Sequence, residues 1–233
     1  MKTKVYADGA VISEMVKLYK EGFVKGFTTN PTLMNKAGIK NYKQFAIDVL
    51  EQIKDLPISF EVFSDDFDEM FEQAKILNSL GNNVYVKIPI MNTKGKTSYK
   101  LINKLDKEKI KMNITAVFTK KQVNSILKNV SGETPHVISI FAGRIADTGI
   151  DPIKIMKQSL KKIKKHSQSL ELLWASPREV LNIYQADEVG CDIITATPSI
   201  IEKLVFKNKD LTEFSRETVE MFYNDAKKSG FTL

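Results

Sequence analysis

A lysine stands inside an apolar run, V-Y-V-K-I-P-I, at position 87. Lysine is seldom buried without a partner or a task. Low-dielectric surroundings disfavour an ammonium ion, and a neutral amine is a nucleophile that forms a Schiff base with a ketone or aldehyde. Carboxylates end two other apolar runs, Asp8 in KVYAD and Glu61 in PISFEVF, and both are suited to moving the protons of such chemistry. Two plainer readings stand beside this one: Lys87 snorkels outward, or it forms a buried ion pair with Glu61. Only three of the thirty-five basic residues are arginine. Two of them, Arg144 and Arg178, follow such runs closely, where guanidinium forks suit a phosphorylated substrate.

Other chemistries are poorly served. One cysteine (Cys191) and two histidines (His136, His166) cannot build the usual zinc and thiol schemes, so neither metal nor cofactor is expected. GKT at 95–97 resembles the end of a phosphate-binding loop, but the position that needs its first glycine is Ile90. The net charge of +7 is carried almost wholly by lysines interleaved with acids and apolar residues, as on solvated helix faces, and no nucleic-acid partner is expected. A non-catalytic basic protein binding an anionic polymer is the competing class, and its mark is binding that weakens steeply with salt. No apolar stretch reaches eighteen residues, so no membrane partner is expected. MKTKVYADGA has no apolar core of a secretory signal, and with the lone cysteine it points to the cytoplasm.

The elements that must position these residues repeat along the chain. Eight β-rich runs are marked at 4–8, 26–30, 57–63, 83–90, 111–118, 136–143, 171–176 and 192–197. Amphipathic segments such as 11–22, 67–81 and 97–108 lie between them, with Gly22, Gly81, Asn129 and Gly190 as helix terminators. Strand and helix in alternation imply parallel βαβ units, and eight repeats in 233 residues predict one (β/α)8 (TIM) barrel domain over 1–233. No G-x-G-x-x-G follows a strand to favour an open dinucleotide-binding sheet. Barrel chemistry gathers at strand C-termini. There the sequence supplies Asp8, Asn30, Glu61, Lys87, Asn113 with Thr115, Ser139 with Arg144, and Ser176 with Arg178. Alternation groups Ser59 with Glu61, Ser139 with Phe141, and Asn113 with Thr115, the last pair opposite Ile114 and Ala116. Any one of the polar residues alone could merely cap the next helix.

GFTTNPTL (26–33), FEV (60–62), VKIP (86–89), NITAVFT (113–119), SIFAGRIAD (139–147), ASPR (175–178) and GCDIITATP (190–198) resemble, in order, the strand motifs of the transaldolase family. The length is similar to that of its short branch, which holds transaldolases and fructose-6-phosphate aldolases. The resemblance implies Lys87 as the Schiff-base lysine, Asp8 as the group that handles the C4 hydroxyl proton, and Glu61 as acid and base through a catalytic water. It implies that Asn30 and Asn113 hold a dihydroxyacetone enamine, that Thr115 positions the water, and that Ser139 lines the donor site. Arg144, Ser176 and Arg178 would bind substrate phosphate. Family transaldolases carry Glu and Phe at the positions of Glu61 and Phe141, where the aldolases carry Gln and Tyr, so transaldolase is the implied branch. The implied reaction moves a dihydroxyacetone unit from sedoheptulose 7-phosphate to glyceraldehyde 3-phosphate; the alternatives are release of free dihydroxyacetone and an unusual acceptor sugar.

The chain departs from the family at Gly9, Thr119 and Ile140, where relatives carry Thr or Ser, Ser, and Pro. Trp174, two residues before Ser176 and on its face by alternation, either packs in the core or reshapes the acceptor pocket. Short-branch relatives form homo-oligomers, pentamers or decamers, through a C-terminal helix, and 211–230 has the length and amphipathic pattern to be one.

Overall fold

The computed structural model describes residues 1–232. Strands β1 (Lys4–Asp8), β2 (Phe27–Thr28), β3 (Ile58–Glu61), β4 (Val84–Pro89), β5 (Met112–Val117), β6 (Val137–Ile140), β7 (Glu171–Trp174) and β8 (Ile193–Ala196) each lie within the run expected for them. Each pairs in parallel with its sequence neighbours, and β1 with β8 closes a (β/α)8 barrel. The helices are α1 (Ile12–Glu21), α2 (Pro31–Lys36), α3 (Tyr42–Gln52), α4 (Phe67–Asn78), α5 (Tyr99–Lys107), α6 (Lys120–Leu127), α7 (Ala142–Ala146), α8 (Ile153–His166), α9 (Leu181–Val189), α10 (Pro198–Ile201) and α11 (Leu211–Ser229).

Gly22 and Gly190 end α1 and α9 in the left-handed conformation. The other two terminators differ: α4 is capped by Ser79 and α6 by Lys128, short of Gly81 and Asn129. The sixth β-rich run is cut at Ile140, because Ala142 already begins α7. The GKT loop is no phosphate cradle. Its N–H groups at Lys94 and Lys96 point to the Asn92 side chain at 3.1 and 3.0 Å.

Strand pleating sorts side chains into two layers. Phe60, Ile88, Ile114, Ile140 and Ile194 point outward and are fully buried under the helices, as the edge-on pair of Phe60 with Phe45 of α3, 6.3 Å between centroids, illustrates. Burying each such side chain contributes about 1.5–3 kcal/mol. Trp174 belongs to this layer, in register with Ile140 and Ile194 and 1% exposed. Inward, Tyr6, Val137, Leu173 and Ile193 form an apolar plug against which Tyr85 and Phe141 pack. Tyr6, Tyr85, Val137 and Ile193 stand two residues before Asp8, Lys87, Ser139 and Thr195, so the plug is the floor beneath those polar groups.

The chain divides into two compact units, Met1–Ile201, which holds the barrel, and the segment from Glu202. The second contains a 3-10 turn (Glu202–Phe206) and α11, whose N-cap Asp210 accepts the Glu213 N–H at 2.8 Å. None of the residues of α11 is buried; Val219, Met221, Phe222 and Tyr223 are at least half exposed. Among the described residues no helix is long and apolar enough to cross a membrane.

Candidate active site

The eleven residues singled out from the sequence, from Asp8 to Arg178, line one cavity of about 520 Å³ at the C-terminal ends of the strands. Lys87 on β4 lies in register between Glu61 on β3 and Asn113 on β5. It does not snorkel. At 7% exposure its amine donates to the Thr29 carbonyl at 2.7 Å and sits 3.0 Å from Glu61 Oε2. The buried pairing with Glu61 is therefore present, inside the cavity that the nucleophile reading requires.

Asp8 ends β1 with both oxygens engaged: Oδ1 accepts from Thr28 at 2.7 Å and Oδ2 from Asn30 at 3.4 Å. Thr28 in turn shares a hydroxyl contact of 2.5 Å with Thr195 of β8. Burial raises the Asp8 carboxyl above its ordinary 3.8, outweighing the Lys87 charge and the Thr28 hydrogen bond, which pull it down. Asn30 is also the N-cap of α2 and accepts the Leu33 N–H at 3.0 Å, so the plain capping reading holds for it together with its place in the cavity. Asn113 is pinned at both ends of its amide, donating to Ser59 at 3.0 Å and accepting from Ser139 at 2.6 Å.

Thr115 faces the cavity two residues further on, and so does Ala116. That corrects the expected alternation. Ala116 has φ 57, and the β5–β6 register shifts between Ile114 and Val117, so a bulge puts two consecutive residues on one side. Ser176 lines the cavity although Trp174 points outward. Its φ of 60, beyond the end of β7, breaks the alternation and lets Ser176 join Ala175 at the cavity, while Trp174 stays outward in register with Ile140 and Ile194. Phe141 forms an apolar wall backed by Phe118, 5.7 Å between centroids.

At the rim stand Arg144 on α7, Ser176, and Arg178 in the loop before α9. The turns after β6 and β7 meet at backbone distance: Gly143 N–H points to the Ala175 carbonyl at 3.3 Å. A Cβ on Gly143 would fall 1.5 Å from the Ser176 carbonyl oxygen. Arg178 is clasped by Asp147, Nε to Oδ1 at 2.8 Å, and the guanidinium holds that carboxyl below its usual range. Sequence reasoning missed Thr28, Thr195 and Asp147. Period-two reading of DIITAT flags Thr195 and Thr197 together, whereas nothing local marks Asp147 as a partner of Arg178.

A search of known proteins agrees with the geometry. Residues 5–233 match the family model described as Transaldolase/Fructose-6-phosphate aldolase. A probable transaldolase of Thermoplasma volcanium is 34% identical over 227 residues, covering 97% of this chain and 96% of the relative. One from a Thermoanaerobacter species is 31% identical over 230 residues, covering 99% and 100%. Among solved structures, KGPDC from Streptococcus mutans superposes with a TM-score of 0.57 at 11% identity, over 87% of this chain and 90% of that one, which shows the fold alone. With its motif order, barrel and relatives in agreement over nearly its whole length, the chain belongs to the transaldolase/fructose-6-phosphate aldolase family.

Proposed function

We propose that the protein is a transaldolase that carries a dihydroxyacetone unit between phosphorylated sugars on Lys87. The observation that supports this most is the Lys87 amine, buried at the cavity floor and 3.0 Å from the Glu61 carboxylate. Glu61 takes the proton the ammonium must lose, and the freed amine adds to the donor ketone. Glu61, through a water held with Thr115, then protonates the departing hydroxyl, and loss of water leaves the imine. Asp8, whose carboxyl burial raises above its ordinary value, removes the C4 hydroxyl proton as the C3–C4 bond breaks and the aldehyde product leaves. The bonding electrons move into the enamine, which Asn30 and Asn113 hold. Attack on an acceptor aldehyde reverses these steps: Asp8 returns its proton to the new hydroxyl, and water hydrolyses the imine. Ser139 positions Asn113, and Arg144, Ser176 and Arg178 receive the phosphate. Sedoheptulose 7-phosphate and glyceraldehyde 3-phosphate fit this scheme as donor and acceptor.

Phe141 favours transfer over hydrolytic release, because its half-buried ring offers no proton to the enamine. Borohydride added with fructose 6-phosphate should leave a three-carbon or sugar-sized adduct on Lys87, read by peptide mass. Absence of the adduct, or turnover by Lys87→Met, sinks the reading. Cleavage equally fast with and without an acceptor aldehyde favours the aldolase instead.

A homo-oligomer, pentamer or decamer, is proposed on the family resemblance, with the exposed apolar residues of α11 in contact with a second copy. Light scattering of the full chain should then give a multiple of the 26.4 kDa protomer, and a chain ending at Asp210 should give a smaller assembly. A monomeric mass for the full chain refutes it.

A further inference from the structure

We infer that Tyr42 is a positioning residue for Glu61, an assignment resting on the transaldolase reading above. Its hydroxyl accepts the Glu61 N–H at 2.7 Å and donates to the Glu61 carbonyl at 2.8 Å. A hydroxyl has one proton and lone pairs, so both bonds are made at once.

These bonds replace missing ladder partners. Thr29 N–H donates to the Ser59 carbonyl at 3.1 Å, and a parallel ladder would continue from the N–H of residue 31 to the Glu61 carbonyl. Residue 31 is Pro31, which has no N–H. The ladder would also run from the Glu61 N–H to the Thr29 carbonyl, but that oxygen is turned to the Lys87 amine at 2.7 Å. β3 is therefore open on its β2 side at the residue whose carboxylate faces Lys87. Tyr42, from the first turn of α3, closes that gap with one oxygen, and Phe63 backs its ring, 5.5 Å between centroids. The hydroxyl thus fixes the backbone that aims Glu61, while the Thr29 carbonyl stays on the Lys87 amine. Tyr42 does not line the cavity.

The test is a double-mutant cycle in steady-state transaldol transfer, preceded by borohydride trapping on the unaltered protein. Tyr42→Phe should lower kcat about 10-fold while KM moves less than about 3-fold, because a 1 Å error in aim weakens the chemical step more than substrate capture. In the Glu61→Gln background the same change should lower kcat less than about 2-fold, since the group it aims is already disabled. Phe63→Ala, which keeps the hydroxyl but unseats the ring, should lower kcat in the same direction and lose its effect in the same background; it decides the matter if Tyr42→Phe does not fold. Equal losses in both backgrounds, a loss seen in KM alone, or no loss from either variant overturns the inference. No adduct on the unaltered protein instead sinks the transaldolase reading itself, so the two failures are told apart.

Discussion

Replacing Gly143 by alanine probes the rim where the arginines stand. The added Cβ would lie 1.5 Å from the Ser176 carbonyl oxygen and 2.6 Å from its carbon. Contacts below 3.0 Å are essentially never tolerated, and the obstacle is backbone rather than a flexible side chain, so the turns after β6 and β7 must part by at least another 1.5 Å. Overpacking typically costs about 1–3 kcal/mol, and a clash with backbone belongs at the upper end. For a chain of 233 residues about 3 kcal/mol corresponds to a fall in Tm of roughly 6–12 °C. Function should suffer more than stability. Arg144 follows the altered residue directly and Ser176 is the residue displaced, so both groups proposed for the phosphate move. A displacement of about 1 Å in a positioning group costs on the order of 100-fold, and that loss should appear in kcat/KM for phosphorylated substrates. Trapping of dihydroxyacetone on Lys87, which needs no phosphate site, should change far less. Calorimetry, steady-state kinetics and adduct mass together read the prediction. A variant that melts within about 1 °C of the parent with unaltered kinetics would falsify the close-approach argument.

Asp8→Asn should abolish most activity, by about 10²–10⁴-fold, and yet stabilise the fold at neutral pH. The sign follows from the raised carboxyl: its folded value lies above the unfolded 3.8, so the stability it contributes is present in full below 3.8 and is lost as pH rises through the folded value. The Tm advantage of the variant should therefore be absent near pH 3 and grow on going up; an advantage that shrinks with rising pH refutes this. Asp147→Ala should lower KM for phosphorylated substrates by about 2–5-fold at low salt, because it unmasks Arg178 and removes a like charge from the anion's path, and the gain should fade at high salt. A KM that rises shows that Asp147 instead holds Arg178 in its working orientation.

The barrel and most of its mouth are legible in the sequence because a β-rich run followed by an amphipathic segment repeats eight times, and polar residues stand at the ends of the first seven runs. Lys87 is conspicuous because an ammonium in an apolar strand has so few innocent explanations. What stays hidden depends on backbone phase and on contacts distant in sequence. Ala116 and Ser176 sit at positive φ without being glycine, and each shifts the pattern by one residue. For that reason Trp174 is ambiguous on paper and unambiguous in the fold. Tyr42 is invisible for a different reason: it lies on a helix, where an aromatic reads as packing, and its partner is a strand edge left open by a proline elsewhere in the chain. The Arg178–Asp147 clasp spans thirty-one positions and two loops, beyond any local rule.

The hydroxyls of Thr28 and Thr195 have a consequence at the seam of the barrel. When Asp8 is ionised, Thr28 donates to it and must accept from Thr195, so the chain of donors runs from β8 to β2 and ends on β1, the strand between them. Once Asp8 holds a proton it has a hydrogen of its own to give, and both hydroxyls are then free to turn round. The backbone ladder of β1 with β8 closes the barrel, and above it a hydroxyl contact from β8 to β2 spans the strand of the acid and turns with the charge that acid carries.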